Sequence, residues 1–125
     1  MMTGFEDLDV WRTGRALAVE VCRISDGSGF RRSRSLADQL RRAAISVPSN
    51  IAEGHQRKYR KEFARFLTIA LGSCGEVRTQ LHIAASLACA DPTRCGALID
   101  AFSRLSAQIN QLRKKVLQQS EDREP

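Results

Sequence analysis

The residues of this chain that are best suited to chemistry form a run of bases around one aromatic side chain. Between positions 57 and 65 lie Arg57, Lys58, Tyr59, Arg60, Lys61 and Arg65. Basic side chains neutralise the phosphates of nucleic acids, and an aromatic ring can stack on a base of RNA. We therefore predict that these six residues contact nucleic acid. The competing interpretation is a solvated surface, because many surface helices carry five bases.

The distribution of charge supports a negatively charged partner. The whole chain carries a net charge of +6, whereas residues 31–65 alone hold ten bases and three acids, a net charge of +7. Such an uneven distribution indicates an acidic partner, most often nucleic acid. The alternative partner is an acidic protein that binds the same basic face. A third interpretation is a surface that only keeps the protein soluble.

A second polar group is predicted to link two helices. It comprises Arg42, Ser46, Asn50 and Glu53 in one helix and Ser73 and Glu76 in the next. Steps of four, four and three residues place the first four side chains on one helix face. Any buried member needs a hydrogen-bond partner, because an orphan costs about 1–3 kcal/mol. We predict a structural network, between helices or between subunits, rather than an active site. Glu53 can also reach Arg57, four residues on.

Residue patterns that would indicate catalysis are missing. The sequence contains no HExxH, GxSxG or glycine-rich phosphate loop, and it lacks the ExxH pairs of di-iron bundles. The histidines, His55 and His82, are isolated in the sequence. The cysteines are Cys22, Cys74, Cys89 and Cys95, and no two form a CxxC pair. We interpret them as buried reduced thiols, and we predict no catalytic residue, metal or cofactor.

The helix that carries the first part of the polar network contains a proline. Its apolar residues at helical spacing are Leu40, Ala44, Val47 and Ile51, which predict a core-facing stripe. Pro48 removes a backbone donor and crowds the preceding turn. We predict one long helix that ends at about residue 55 and bends at Pro48, with freed carbonyls bonded by Ser46, Ser49 or Asn50. The alternative is two shorter helices, the second capped by Asn50.

The third helix has the most regular pattern in the chain. Its seam alternates steps of four and three residues through Phe63, Leu67, Ala70, Cys74, Val77, Leu81, Ala84 and Ala88. This pattern predicts a helix of roughly 30 residues that packs at a shallow angle along its whole length. Gly72 and Gly75 lie at its middle, at a cost of about 1–2 kcal/mol relative to alanine. We predict that another helix approaches closely there, and a loose hinge is the alternative.

Four helices account for most of the chain. A first helix is predicted over about residues 7–25 and a fourth over about 92–118. A length of 125 residues favours one domain. We predict an all-α, up-down-up-down four-helix bundle over residues 1–125, with a disordered or frayed tail at about 119–125. No apolar run reaches the roughly 18 residues of a membrane span, and the acidic N-terminus lacks a secretion signal, so we expect a cytoplasmic protein.

Three segments carry a resemblance to a known family. FEDLDVW at Phe5–Trp11, QLRRAAISVPSNIAEG at Gln39–Gly54 and EFARFLTIALGSCGE at Glu62–Glu76 resemble the four-helix bundle proteins encoded in intervening sequences of bacterial 23S ribosomal RNA genes. The resemblance covers Phe5 to about Leu117. It implies a left-handed bundle that assembles as a ring, a homopentamer. Accessory proteins of diversity-generating retroelements look like structural relatives, and they bind nucleic acid and a reverse transcriptase through a basic surface.

The resemblance supplies no catalytic residues, since the family has no agreed activity. The chain also departs from it, because Arg31-Arg32-Ser33-Arg34 stands where the family often has Pro and Glu. We expect a non-enzymatic, oligomeric bundle that binds nucleic acid, RNA above all, at the turn between the second and third helices. The alternative is a protein-interaction adaptor whose basic face binds an acidic protein.

Overall fold

The computed structural model describes the backbone of residues 4–123 and the side chains of residues 4–119. Its helices are α1, Asp9–Ser25; α2, Arg34–His55; α3, Arg60–Ser86; and α4, Pro92–Arg123. Short 3-10 turns, Phe5–Asp7 and Ser28–Phe30, precede α1 and α2. This part of the chain contains no strand, so the predicted all-α, four-helix class is confirmed. None of its helices is long and apolar enough to cross a membrane.

Pro48 lies inside α2 without ending it. The helix is continuous from Arg34 to His55, which confirms one long helix and contradicts the pair of shorter helices. The side chain of Asn50 donates from Nδ2 to the carbonyl oxygen of Ser46 at 2.8 Å. This bond does not meet the prediction, which concerned freed carbonyls, because the carbonyl that Pro48 leaves without its usual donor is that of Ala44. The bend at Pro48 stays a prediction.

The predicted seams build the core. The seam of α3 is buried from Phe63 to Ala84, and α4 contributes Leu98, Phe102, Leu105, Ile109 and Val116. The last predicted seam residue, Ala88, lies beyond the end of α3 and has a φ of 56°. The α3 helix therefore has 27 residues rather than about 30. The α4 helix, in contrast, is longer than predicted, because it continues past residue 118 to Arg123. Residues 124–125 of the predicted tail lie outside the described residues.

The prediction of a close helix contact at the two glycines of α3 is wrong for the single chain. A Cβ added at Gly72 or Gly75 would meet no atom within 4 Å. The α3 helix continues through both residues, and the loose hinge stays an untested alternative. No contact within the described part of the chain explains the cost of these two glycines in a helix interior.

Contacts between α1 and α2 bring opposite ends of the two helices together. A Cβ added at Gly14 would lie 3.6 Å from Cβ of Pro48, whereas Ser25, at the end of α1, accepts a 3.0 Å hydrogen bond from Arg41 near the start of α2. The two helices therefore run in opposite directions. This orientation is the one predicted for the first pair of helices, whereas the up-down-up-down order of all four helices and the left-handedness of the bundle stay predictions.

One end of the bundle closes through backbone contact. A Cβ added at Gly29 would lie 2.0 Å from the carbonyl oxygen of Cys89, so the α1–α2 connection touches the α3–α4 connection. Phe30, the next residue, is buried and fills this end of the core. We call this end the loop end. The opposite end, which holds residues 56–59 between α2 and α3, is the turn end.

Candidate nucleic-acid interface

The predicted nucleic-acid contacts lie at the turn end, where α2 passes into α3. The two helices approach closely here because Gly54 has no side chain. A Cβ at Gly54 would lie 2.6 Å from Cβ of Phe66 and 3.1 Å from Cδ1 of Phe63. Gly54 therefore determines how near the bases that follow α2 lie to the first turns of α3.

Two of the bases are held by carboxylates. Nη2 of Arg57 lies 3.1 Å from Oε2 of Glu53, which confirms the contact expected from their spacing. Arg65 donates to Glu62 from Nε at 3.2 Å and from Nη2 at 3.3 Å. This hydrogen bonding lowers the pKa of Glu62 and raises the pKa of Arg65, so both groups are charged at neutral pH. Bonding through two nitrogens also fixes the plane of the guanidinium group.

Phe66 belongs to the same cluster and was missed by the sequence reasoning. The guanidinium carbons of Arg57 and Arg65 lie over its ring, 4.9 and 4.7 Å from the ring centre. Such contacts are attractive and orient the guanidinium planes. The sequence signal was weak, because adjacent side chains on a helix do not usually face each other, although the long side chain of Arg65 reaches the ring here. The contact with Arg57 depends on the fold, which places the end of α2 beside α3.

The remaining residues of the predicted site surround Tyr59. Tyr59 is 56% exposed, and Nζ of Lys58 lies 5.5 Å from its ring centre. Arg60 donates a hydrogen bond to the side-chain oxygen of Gln119, so the end of α4 reaches the site. Lys61 is exposed. We call Arg57, Lys58, Tyr59, Arg60, Lys61, Arg65 and Phe66 the basic turn.

The basic segment of the sequence becomes two separate regions in the fold. Arg31 and Arg32 lie in the loop-end connection and Arg34 begins α2. The 22 residues of α2, about 33 Å of helix, separate them from the basic turn. The five bases of the basic turn are accompanied by Glu53 and Glu62, which leaves a local excess of +3. The basic turn is thus positive without help from the bases of the loop end.

The structure joins three members of the predicted polar network. Asn50 donates from Nδ2 to Oγ of Ser46 at 2.9 Å, and Ser46 shares a 2.6 Å hydrogen bond with Oγ of Ser73. Ser73 is buried, so its hydroxyl needs this partner. We call Ser46, Asn50 and Ser73 the polar bridge, because they connect α2 to α3.

The other three members of the predicted network lie outside the polar bridge. Glu53 pairs with Arg57, whereas Arg42 and Glu76 are exposed and line a cavity of about 510 Å³ between α2 and α3. No hydrogen bond or ion pair among the described residues joins these three to one another, because charged side chains at the margin of a helix contact stay in water. Gln80 lines the same cavity and was not predicted.

The described cysteines have the character of structural thiols. Cys74, Cys89 and Cys95 are buried, Cys22 is half-buried, and all four are free. Burial raises the pKa of Cys74 and of Cys95, which disfavours the thiolate that acts as nucleophile or metal ligand. Among the residues with described side chains, no group of three or more His, Cys, Asp or Glu residues could hold a metal ion.

A family model matches most of the chain. The model described as 23S rRNA-intervening sequence protein covers residues 6–111, a span that contains the basic turn and the polar bridge. In a comparison with curated proteins, none matches the chain. The match identifies a family and assigns no role to any single residue.

Proposed function

The chain belongs to the 23S rRNA-intervening sequence protein family, and from this premise we propose a non-enzymatic, oligomeric protein that binds nucleic acid, RNA above all, at the basic turn. The observation that carries the proposal is the grouping of five bases at one end of the bundle, two of them held in place by Glu53 and Glu62. Side chains that are positioned before binding lose less freedom on contact with a ligand.

Oligomerisation is part of the proposal. A ring, and a homopentamer in particular, would present several copies of the basic turn, so that a modest affinity at each copy becomes a high total affinity. Exposed apolar side chains away from the basic turn support contact between copies. Val19 and Ile45 flank a groove between α1 and α2, and Ile69 and Ile83 are exposed on α3.

The mass in solution tests the oligomeric part. Light scattering should give about five times the chain mass of 13.9 kDa, at protein concentrations that span those of the binding assays. A mass equal to one chain at every concentration would contradict this part of the proposal, while leaving binding at a single basic turn open to its own test.

Two variants test the nucleic-acid site. The basic-turn variant replaces Arg57, Lys58, Arg60 and Lys61 with Ser. The loop-end variant replaces Arg31, Arg32, Arg34 and Arg94 with Ser, which removes the same charge at the opposite end. Fluorescence anisotropy with a structured RNA and a duplex DNA should show binding that the basic-turn variant loses and the loop-end variant largely keeps.

The results also separate the alternative function. An adaptor that binds an acidic protein through the basic turn would give no nucleic-acid binding at low salt, and such a result would overturn our proposal. Equal loss in both variants would contradict the placement of the site, since it would show that only the total charge matters.

A further inference from the structure

We propose that the basic turn binds unpaired bases, so that its ligand is a single-stranded stretch of nucleic acid, as in a loop, a bulge or a free end, rather than an uninterrupted duplex. This inference rests on the proposed function and specifies the ligand class of the same site. It comes from flat side-chain groups at the turn end that remain partly exposed to solvent.

Tyr59 provides the first flat group. Its side chain lies in the connection before α3, and 56% of the residue is exposed, an unusual position for a large ring that the core could have buried. Basic residues precede and follow it directly in the chain, at Lys58 and Arg60. A nucleobase stacked on this ring would therefore have the phosphates of its own strand close to positive charge. Alternation of a stacking ring with basic residues is the pattern of single-strand binding.

The guanidinium groups over Phe66 provide further flat surfaces. Phe66 is half-buried, and the guanidinium groups of Arg57 and Arg65 lie over its ring. Their side chains remain 45% and 56% exposed, so neither group is enclosed. Guanidinium planes accept stacked bases much as aromatic rings do.

The carboxylates make these guanidinium groups better suited to stacking than the side chain of an unpaired, flexible arginine would be. Glu53 holds Arg57 on the side of α2, and Glu62 holds Arg65 through two hydrogen bonds on α3. A cation that served only to neutralise phosphate would be weakened by a neighbouring carboxylate. For a stacking surface the same carboxylate is an advantage, because it fixes the plane in advance of binding.

A continuous duplex cannot use these surfaces. Its base faces are covered by the neighbouring base pairs, and only base edges and the sugar-phosphate backbone are accessible to side chains. The rings and guanidinium planes of the basic turn would then add nothing to the phosphate contacts. Single strands, in contrast, can place successive bases on Tyr59 and on the guanidinium groups.

Three fluorescent probes of equal length test the inference on the full chain. They are an oligouridylate of about 12 nucleotides, within the site size of single-strand binders, its duplex with oligoadenylate, and an abasic strand with the same phosphates. At one fixed salt concentration the oligouridylate should bind at least about fivefold more tightly than the abasic strand. It should also bind more tightly than the duplex, although the duplex carries more phosphates.

Variants of Tyr59 and Phe66 then assign the effect to the rings. Tyr59→Leu should weaken oligouridylate binding at least about fivefold and leave the abasic strand unchanged, while Tyr59→Phe, which keeps the ring, should bind as the wild type does. Phe66→Leu should act in the same direction. Because Phe66 packs beside Gly54, the thermal unfolding of the Phe66→Leu variant is measured in parallel. If that variant is unfolded, the comparison of Tyr59→Leu with Tyr59→Phe, at an exposed position, decides the test.

Failure of this inference differs from failure of the proposed function. If neither these probes nor the structured RNA binds, the proposed function is wrong, and this inference falls with it; if the structured RNA alone binds, this inference is contradicted and the proposed function stands. If the abasic strand or the duplex binds as well as the oligouridylate, or if Tyr59→Leu binds like Tyr59→Phe, nucleic-acid binding stands and selection of unpaired bases is contradicted.

Discussion

Gly54 shows how a single missing side chain positions the basic turn. The first turns of α3 lie so close to the end of α2 that no Cβ fits between Gly54 and the Cβ of Phe66. Phe66 in turn carries the guanidinium groups of Arg57 and Arg65. Sequence reasoning treats a glycine near a helix end as a weak point or a stop signal. That it is a contact surface follows only from the position of the second helix.

Substitution of Gly54 should therefore be costly. In Gly54→Ala the new methyl group would lie 2.6 Å from a Cβ atom, which cannot move without its helix, so we expect a loss of about 1–3 kcal/mol in the free energy of unfolding. Gly72→Ala is the matched control, because open space surrounds that position. It should stabilise the helix by about 0.5–1 kcal/mol. Urea unfolding of both variants would contradict this account if Gly54→Ala were as stable as Gly72→Ala.

The end of α3 allows a prediction in the opposite direction. Ala88 has a φ of 56°, and the N–H of Cys89 donates to the carbonyl of Ala84 at 2.9 Å, as in a helix end that glycine usually forms. Because a Cβ is unfavourable in this conformation, Ala88→Gly should raise the free energy of unfolding by about 0.5–1 kcal/mol. A lower urea midpoint for Ala88→Gly would show that the side chain contributes more than its backbone costs.

At the level of helices, periodicity predicted the buried faces well and the polar contacts only in part. The seam of α3 is buried as predicted because spacing alone decides which side chains share a face. The polar network divided, since Ser46, Asn50 and Ser73 form the polar bridge while Arg42 and Glu76 stay exposed. Spacing places side chains on a face but does not say which of them the neighbouring helix covers.

This division leads to a pair of contrasting substitutions. Asn50→Ala should cost about 1–2 kcal/mol, because it removes the hydrogen bonds to the carbonyl oxygen and to Oγ of Ser46. Arg42→Ala, on the same helix face, should change the free energy of unfolding by less than about 0.5 kcal/mol. Equal effects of the two substitutions in urea unfolding would mean that the polar bridge does not stabilise the contact between α2 and α3.

For the whole molecule, the sequence predicted the architecture and the excess of positive charge, but it could not divide that charge in space. Most bases of residues 31–65 lie near opposite ends of α2 in the bundle. Carboxylates hold an arginine at both ends, since Arg41 pairs with Asp26 and Asp38 near the loop end. Among the described residues, what distinguishes the turn end is the exposed ring of Tyr59 between basic residues. The fold is therefore needed to tell a local basic site from a general excess of positive charge, because in the sequence both groups of basic residues belong to one segment.

The salt dependence of nucleic-acid binding tests the central claim, that the basic turn is the interface. Dissociation constants for a structured RNA would be measured from low to physiological salt for the wild type, the basic-turn variant and the loop-end variant. Each lost phosphate contact makes the negative slope of log affinity against log salt less steep by about 0.7 for single-stranded RNA. We predict a slope less steep by about 2–3 in the basic-turn variant and nearly unchanged in the loop-end variant. An unchanged slope in the basic-turn variant would contradict the claim.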